Sequence, residues 1–473
     1  MKTQKGFVHI FAIGIVAVVI AAGIGSHFYF STQSQKKESA GEPLNPDRGM
    51  QQNQKNMSET ALEKSEPAAT PKQAPFPSKP KTAANSDIVQ GHPLNCYPRL
   101  GFDNYRTEQT FVVNPKNNKE MYINVEYKGL YKSVDGGNTW SFSGRGLKGL
   151  PRNDDPAKPC HDLRFHMYID PSNPQRLLAP GGSAPGKVGN GLGGLSESLN
   201  GGATWRQLFT SEMSAYTENV AVDPTDPKIV YVTTASLPQG MDGPDKGKTF
   251  VTKGVVYKTM DGGKTWEELP TGLFPNLRVP GIFIDAQNPK RLRLATFGLP
   301  SGTNIDKKST DEQWGFLETN DAGRNWTKLD ATLGIGIRHL DVSAVNLNHF
   351  HMMASKNNTD KIYYSLDGSL IEPDNMMVNF ARYNPHDETG MKLIGVNFYA
   401  QPDDIFESLD GGKKWNAAGK LPNGITNDHR VANIVFDPID PDVIYINSDL
   451  ARVWKSNDKG KTWNVLLSLD KLK

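Results

Sequence analysis

The chain has 473 residues, with 53 Lys plus Arg against 51 Asp plus Glu and a formal net charge of +2 at pH 7. That balance excludes a global electrostatic case for a nucleic-acid partner or for adsorption to an anionic surface. Forty-five Gly and 32 Pro disfavour long helices and fit many short strands joined by turns.

The N-terminus has its own composition. Lys2 and Lys5 precede an apolar run from Phe7 to Phe30 that only His9 and the Ser26-His27 pair interrupt. Such a run is long enough to cross a bilayer as one transmembrane helix. Positive charge before it predicts a cytoplasmic N-terminus, with everything after residue 30 outside. Residues 1–30 are therefore expected to be a single-pass anchor in the cell membrane. The alternative is a signal peptide cleaved near residue 25, after Gly23-Ile24-Gly25, which would release the chain. Residues 31–87 are rich in Lys, Gln, Glu, Ser, Ala and Pro. They carry too few large apolar side chains to offset chain entropy, so a disordered linker is expected there. Residues 88–473 form the folded domain on this reading.

Two cysteines, Cys96 and Cys160, complete the covalent inventory. In an exported protein they could form a disulfide, worth roughly 4 kcal/mol in the chain-entropy model. The other reading is two unpaired thiols. Their spacing builds no metal site, and no motif calls for a cofactor.

An eight-residue phrase then recurs. It reads SVDGGNTW from Ser133, SLNGGATW from Ser198, TMDGGKTW from Thr259, TNDAGRNW from Thr319, SLDGGKKW from Ser408 and SNDKGKTW from Ser456. A worn copy, SLDGS, starts at Ser365 and lacks the tryptophan. Asp135, Asn200, Asp261, Asp321, Asp367, Asp410 and Asp458 hold the third position. Gly137, Gly202, Gly263, Gly323, Gly412 and Gly460 hold the fifth; Trp140, Trp205, Trp266, Trp326, Trp415 and Trp463 hold the eighth. Successive copies are 65, 61, 60, 46, 43 and 48 residues apart, a period that marks a repeat architecture. Asx followed by Gly is a hairpin turn, because Gly takes positive φ cheaply and the Asx side chain bonds nearby N–H groups. A second phrase precedes each box and ends a short apolar strand, as in Val222-Asp223-Pro224 and Phe436-Asp437-Pro438. Proline cannot donate to a ladder, so the strand stops there.

The eight-residue phrase resembles the Asp box, or BNR repeat, of sialidases, sortilin-type receptors, xyloglucan-type endoglucanases and photosystem II assembly factors. The resemblance implies an all-β, seven-bladed β-propeller of four-stranded antiparallel blades, with the boxes as structural turns away from the ligand site. Sialidases of this family use an early Arg-Ile-Pro motif. Here Arg278-Val279-Pro280 falls after the third box and Tyr97-Pro98-Arg99 has the wrong order, so sialidase activity is not expected. Xyloglucan-type endoglucanases carry an Asp before a Gly-Gly-x-Tyr stretch in their first blade. Val125-Glu126-Tyr127-Lys128-Gly129-Leu130-Tyr131 is loosely similar, which makes Glu126 the one nameable catalytic candidate.

Binding is expected where the inner strands begin, at one mouth of the channel. Arg106, Arg164 with His166, Arg278, Arg338 with His339, and His429 with Arg430 precede the inner strands and could form a basic funnel for anionic groups. Their alternative role is pairing with neighbouring acids such as Asp341. Inserted loops at 151–159, 180–194, 237–249 and 299–312 add further binding surface. His349 and His351 alternate on one strand, but no third ligand completes a metal site. The leading functional expectation is a monomeric, non-catalytic module that binds a glycan, a peptide or an envelope protein. A glycoside hydrolase is the alternative.

Overall fold

The computed structural model describes residues 111–125, 129–147, 167–181, 194–209, 216–235, 255–273, 277–298, 315–329, 336–356, 359–373, 378–397, 404–425, 431–448, 452–468 and 472. All belong to the compact unit Ala83–Lys473. The anchor, the linker, Cys96 and Cys160 lie outside the described residues. Within them, no helix is long and apolar enough to cross a membrane.

Among the described residues, twenty-seven strands are laid down as seven consecutive blades. Blade 1 holds β1 (Phe111–Asn114), β2 (Asn117–Val125), β3 (Gly129–Ser133) and β4 (Ser141–Phe142). Blade 2 runs from β5 (Tyr168–Ile169) through β6 (Leu177–Gly181) and β7 (Gly194–Ser198) to β8 (Arg206–Phe209), and blade 3 from β9 (Tyr216–Val222) through β10 (Val230–Ala235) to β12 (Glu267–Glu268). Blade 4 runs from β13 (Leu277–Ile284) to β16 (Thr327–Lys328). Blade 5 holds β17 (Gly336–Val342), β18 (Phe350–Lys356) and β19 (Thr359–Ser365). Blade 6 runs from β20 (Phe380–Tyr383) to β23 (Asn416–Lys420), and blade 7 from β24 (Val431–Phe436) through β25 (Ile444–Ser448) to β27 (Asn464–Leu467). Every pairing is antiparallel between sequence neighbours, apart from one residue pair, Ala235 with Arg278, that joins blades 3 and 4.

Blade 5 departs from the four-stranded expectation. Its fourth strand is reduced to a single bridge between Tyr364 and Ile371. The worn box explains the loss: Asp367 Oδ1 accepts only from Ser369, through both N–H and Oγ. No i+4 bond reaches across to start a returning strand.

Intact boxes close differently. Ser133 Oγ accepts from Gly137 N–H at 2.8 Å and donates to Asp135 Oδ1 at 2.8 Å. Asp135 then accepts from Thr139 N–H at 2.9 Å and Thr139 Oγ1 at 2.6 Å. These donors hold the carboxyl down at about 2. The same bonds recur at Thr259–Asp261 and Ser456–Asp458. Gly137 sits at φ 91° against blade 7, and a Cβ there would stand 2.6 Å from Leu466. Only glycine meets both demands.

Each intact turn delivers its tryptophan to the preceding blade. Trp205 donates from Nε1 to Ser143 O of blade 1 at 2.7 Å, and Trp463 donates to Lys420 O of blade 6 at 2.9 Å. The Trp266 ring lies 4.8 Å from Phe209 of blade 2. Closure follows the same logic. Trp140 enters the cluster in which Phe111, Met121 and Ile123 of blade 1 meet Tyr445, Val453 and Leu467 of blade 7. Blade 7 supplies four strands of its own, so among the described residues the ring closes by packing rather than by strand exchange.

Trp205 is 6% exposed. Its replacement by Ala is expected to lower unfolding free energy by about 3–5 kcal/mol, read from urea titration. A loss below about 1 kcal/mol would contradict the packing role.

Candidate functional site at the loop face

Chain direction sorts the turns. In each blade the first and third turns share one end, and the boxes and Asx-Pro turns lie there. The second turn and the inter-blade connection share the other end, the loop face. The first strands of neighbouring blades lie against one another, as β1 does with β24 and β17 with β20. They are the innermost strands, and their starting ends open on the loop face.

Four inner strands are bulged at one equivalent place. Counting back from the strand-ending residues Asp223, Asp285, Ser343 and Asp437, the fifth residue is Glu218, Pro280, Arg338 and Ala432. Ladder register slips at each of these, with Val279 joining Pro280 in blade 4. Bulges bend a strand, strengthen its twist and re-aim side chains, and they recur beside binding sites. Glu218 is buried there, and neighbouring Asn219 donates from Nδ2 to Pro280 O of blade 4 at 3.4 Å.

The candidates divide as follows. Arg278 and Arg338 have their backbones in β13 and β17, at the loop-face ends of inner strands. His339 stacks on Phe380 of blade 6, with centroids 4.3 Å apart, and its Nε2 lies 3.3 Å from Ala381 O. Glu126, Arg106, Arg164, His166, His429 and Arg430 lie outside the described residues, as do 151–159, 237–249 and 299–312. His349 meets Gly390 O through Nδ1 at 3.1 Å. His351 is fully buried, and desolvation lowers its pKa to about 3. Among the described residues no three His, Cys, Asp or Glu side chains gather as a metal site.

One residue went unnoticed in the sequence. Arg382 of blade 6 donates from Nη1 to Asp341 Oδ1 of blade 5 at 3.1 Å. It also donates from Nε and Nη2 to Asn433 Oδ1 of blade 7, at 3.2 and 3.0 Å. Tyr383 N–H takes Asp341 Oδ2 at 2.6 Å. Both Arg382 and Asp341 stand two residues before the strand-ending turn. Val112, Tyr168, Ala221, Phe283 and Val435 hold that position in the other blades, and all seven are half-buried. One layer of the channel wall is thus charged at blades 5 and 6 and apolar or aromatic elsewhere. Aligning the repeats at that position was the signal that could have found it.

No protein-family model matches the chain. The xyloglucanase Xgh74A of Acetivibrio thermocellus is 24% identical over 271 residues, covering 55% of this chain and 26% of that enzyme. The crystal structure of the Xanthomonas campestris GH74 xyloglucanase aligns at a TM-score of 0.53 with 14% identity, over 75% of this chain and 52% of that one. A Niastella koreensis GH74 enzyme aligns at 0.52 with 14% identity, over 76% and 53%. This chain is an Asp-box β-propeller. It spans about a quarter of the curated xyloglucanase and about half of each solved enzyme. At these identities the solved structures speak to the propeller fold alone.

Arg382 and Asp341 have side chains only 11% and 20% exposed. Removing the guanidinium strands a mostly buried carboxylate. Arg382→Ala is expected to cost about 2 kcal/mol, part of which Asp341→Asn restores in the double variant. Additive losses in chemical denaturation would show that the two side chains are not coupled.

Proposed function

We propose that this propeller is a polysaccharide-directed glycoside hydrolase that takes an extracellular glucan of the xyloglucan class on its loop face. The observation that carries the reading is the 271-residue match to a xyloglucanase, taken with a scaffold whose inner strands and long connections open on one end. On this reading the apolar run of residues 7–30 and the linker of 31–87 hold the propeller outside the membrane, where polymeric substrate is found.

Cleavage needs a carboxylic acid to protonate the leaving oxygen. A second carboxylate must stand about 5 to 10 Å away to serve as nucleophile or to activate water. Glu126, which follows β2 in the sequence and lies outside the described residues, is the residue offered as one of the pair. Tyr168 and Phe283 provide aromatic surface in the inner strands, on which a sugar ring can stack.

A second reading, a non-catalytic glycan-binding module, is favoured by the state of Asp341. That acid accepts from Arg382 and from the Tyr383 backbone, so it is committed to holding blades together.

The full chain is to be incubated with soluble xyloglucan and release of reducing ends followed. Hydrolysis that falls at least 100-fold in Glu126→Gln, within the range of general acid–base catalysis, supports the first reading. Binding with no hydrolysis supports the second. Neither binding nor hydrolysis of xyloglucan would overturn both.

A further inference from the structure

Six of the seven junctions between blades are filled, among the described residues, by apolar clusters that draw side chains from both neighbours. The junction of blades 5 and 6 is different. The cluster built around Val378, Phe406 and Trp415 draws on blade 6 alone. Blade 5 meets it with His339, Asp341 and His351.

His351 is the centre of this seam. It is fully buried, and neither ring nitrogen has a hydrogen-bond partner. Its ring packs edge-on against Trp415, with centroids 5.6 Å apart, and Gly412 of the blade 6 box closes over it. The Tyr383 hydroxyl is also buried without a hydrogen-bond partner. Buried polar groups are almost always satisfied, so an imidazole and a hydroxyl left unsatisfied on one seam are a cost to that junction. Blade 5 is also the blade with the worn box and the truncated fourth strand.

We propose that the seam between blades 5 and 6 is an acid-sensitive joint, at which the ring opens ahead of its other junctions when His351 takes up a proton.

The surroundings explain why His351 must leave its site to be charged. From β17 it faces His339 and Asp341, and from β19 Tyr364, its register partner. From blade 6 it faces Trp415, with Arg382 and Tyr383 beyond. Asp341 lies across the ladder from His351, but its oxygens are taken by Arg382 and the Tyr383 N–H. Burial is the largest cause that depresses His351, with His339 second.

The sign follows from linkage. In the opened seam His351 reaches water and titrates near its ordinary value of about 6.5, whereas in the closed seam it does so only at about 3. Between those values the open form binds a proton that the closed form does not. Stability of the seam is therefore complete above pH 6.5, and the open-to-closed ratio rises about tenfold for each unit below it.

Hydrogen exchange of the full chain, followed by mass spectrometry and corrected for the pH dependence of the chemical step, tests the proposal. Between pH 6.5 and 4.5, protection of β18 and β20 is expected to fall about 50-fold, ahead of β2 and β25 at the junction of blades 1 and 7. His351→Phe, and separately His351→Gln, should abolish the local acid loss. Tyr383→Phe should raise protection at every pH and leave the slope unchanged. Uniform loss of protection around the ring, or a wild-type acid slope in both His351 variants, would overturn it.

Discussion

The Asp-box hydrogen bonds are the constraint on which the rest of the ring depends. A serine or threonine hydroxyl takes the N–H of the glycine four residues on, while the carboxylate takes N–H groups later in the turn. The fourth residue of the box adds an N–H to the preceding turn of its own blade, as Gly136 does to Lys119 O and Gly262 to Lys228 O. The product of the box is a tryptophan thrown back against the preceding blade. Where the hydroxyl–carboxylate closure fails, at Ser365 and Asp367, the fourth strand shrinks to one bridge. Leu370 takes up apolar packing against the cluster of blades 4 and 5 in place of the missing ring.

Much of this architecture was legible because turn chemistry is local. The box names its own hydrogen bonds within eight residues, and the Asx-Pro phrase ends a strand by withholding a donor. Blade number and hairpin positions could be read from those phrases, as could the worn box of blade 5, though not the loss of its fourth strand. Ala322 and Lys459 show how strongly the turn dictates conformation. Both stand where other copies carry glycine, and both are held at positive φ, 61° and 60°. At such positions non-glycine residues bear a cost of roughly 1 kcal/mol, which the surrounding bonds must offset.

The channel and the seams were less legible, for a physical reason. Arg382 meets Asp341 across 41 positions of sequence and Asn433 across 51, and only the ring geometry brings them together. The bulge at Glu218, Pro280, Arg338 and Ala432 has no residue signature, since an acid, an imino acid, a base and an alanine all occupy it. His349 and His351 alternate in the sequence, with no third ligand to complete a metal site. In the fold the two separate, one onto a backbone carbonyl and the other into a dry junction beside Trp415. The clustered arginines expected at the channel mouth reduce, in the described residues, to backbone placements for Arg278 and Arg338.

The two ends of the propeller therefore carry different burdens. One end is occupied by the box turns that set blade packing; the other has the inner-strand starts, the bulges and the long connections, on which ligand recognition is proposed to fall. Carbene footprinting of the full chain with and without a xyloglucan oligosaccharide separates them most directly. Masking is expected in peptides that begin β13 and β17 and in the connections at that end, with box peptides 133–140 and 198–205 unchanged. Masking confined to the box turns, with the inner-strand starts unaffected, would contradict the assignment.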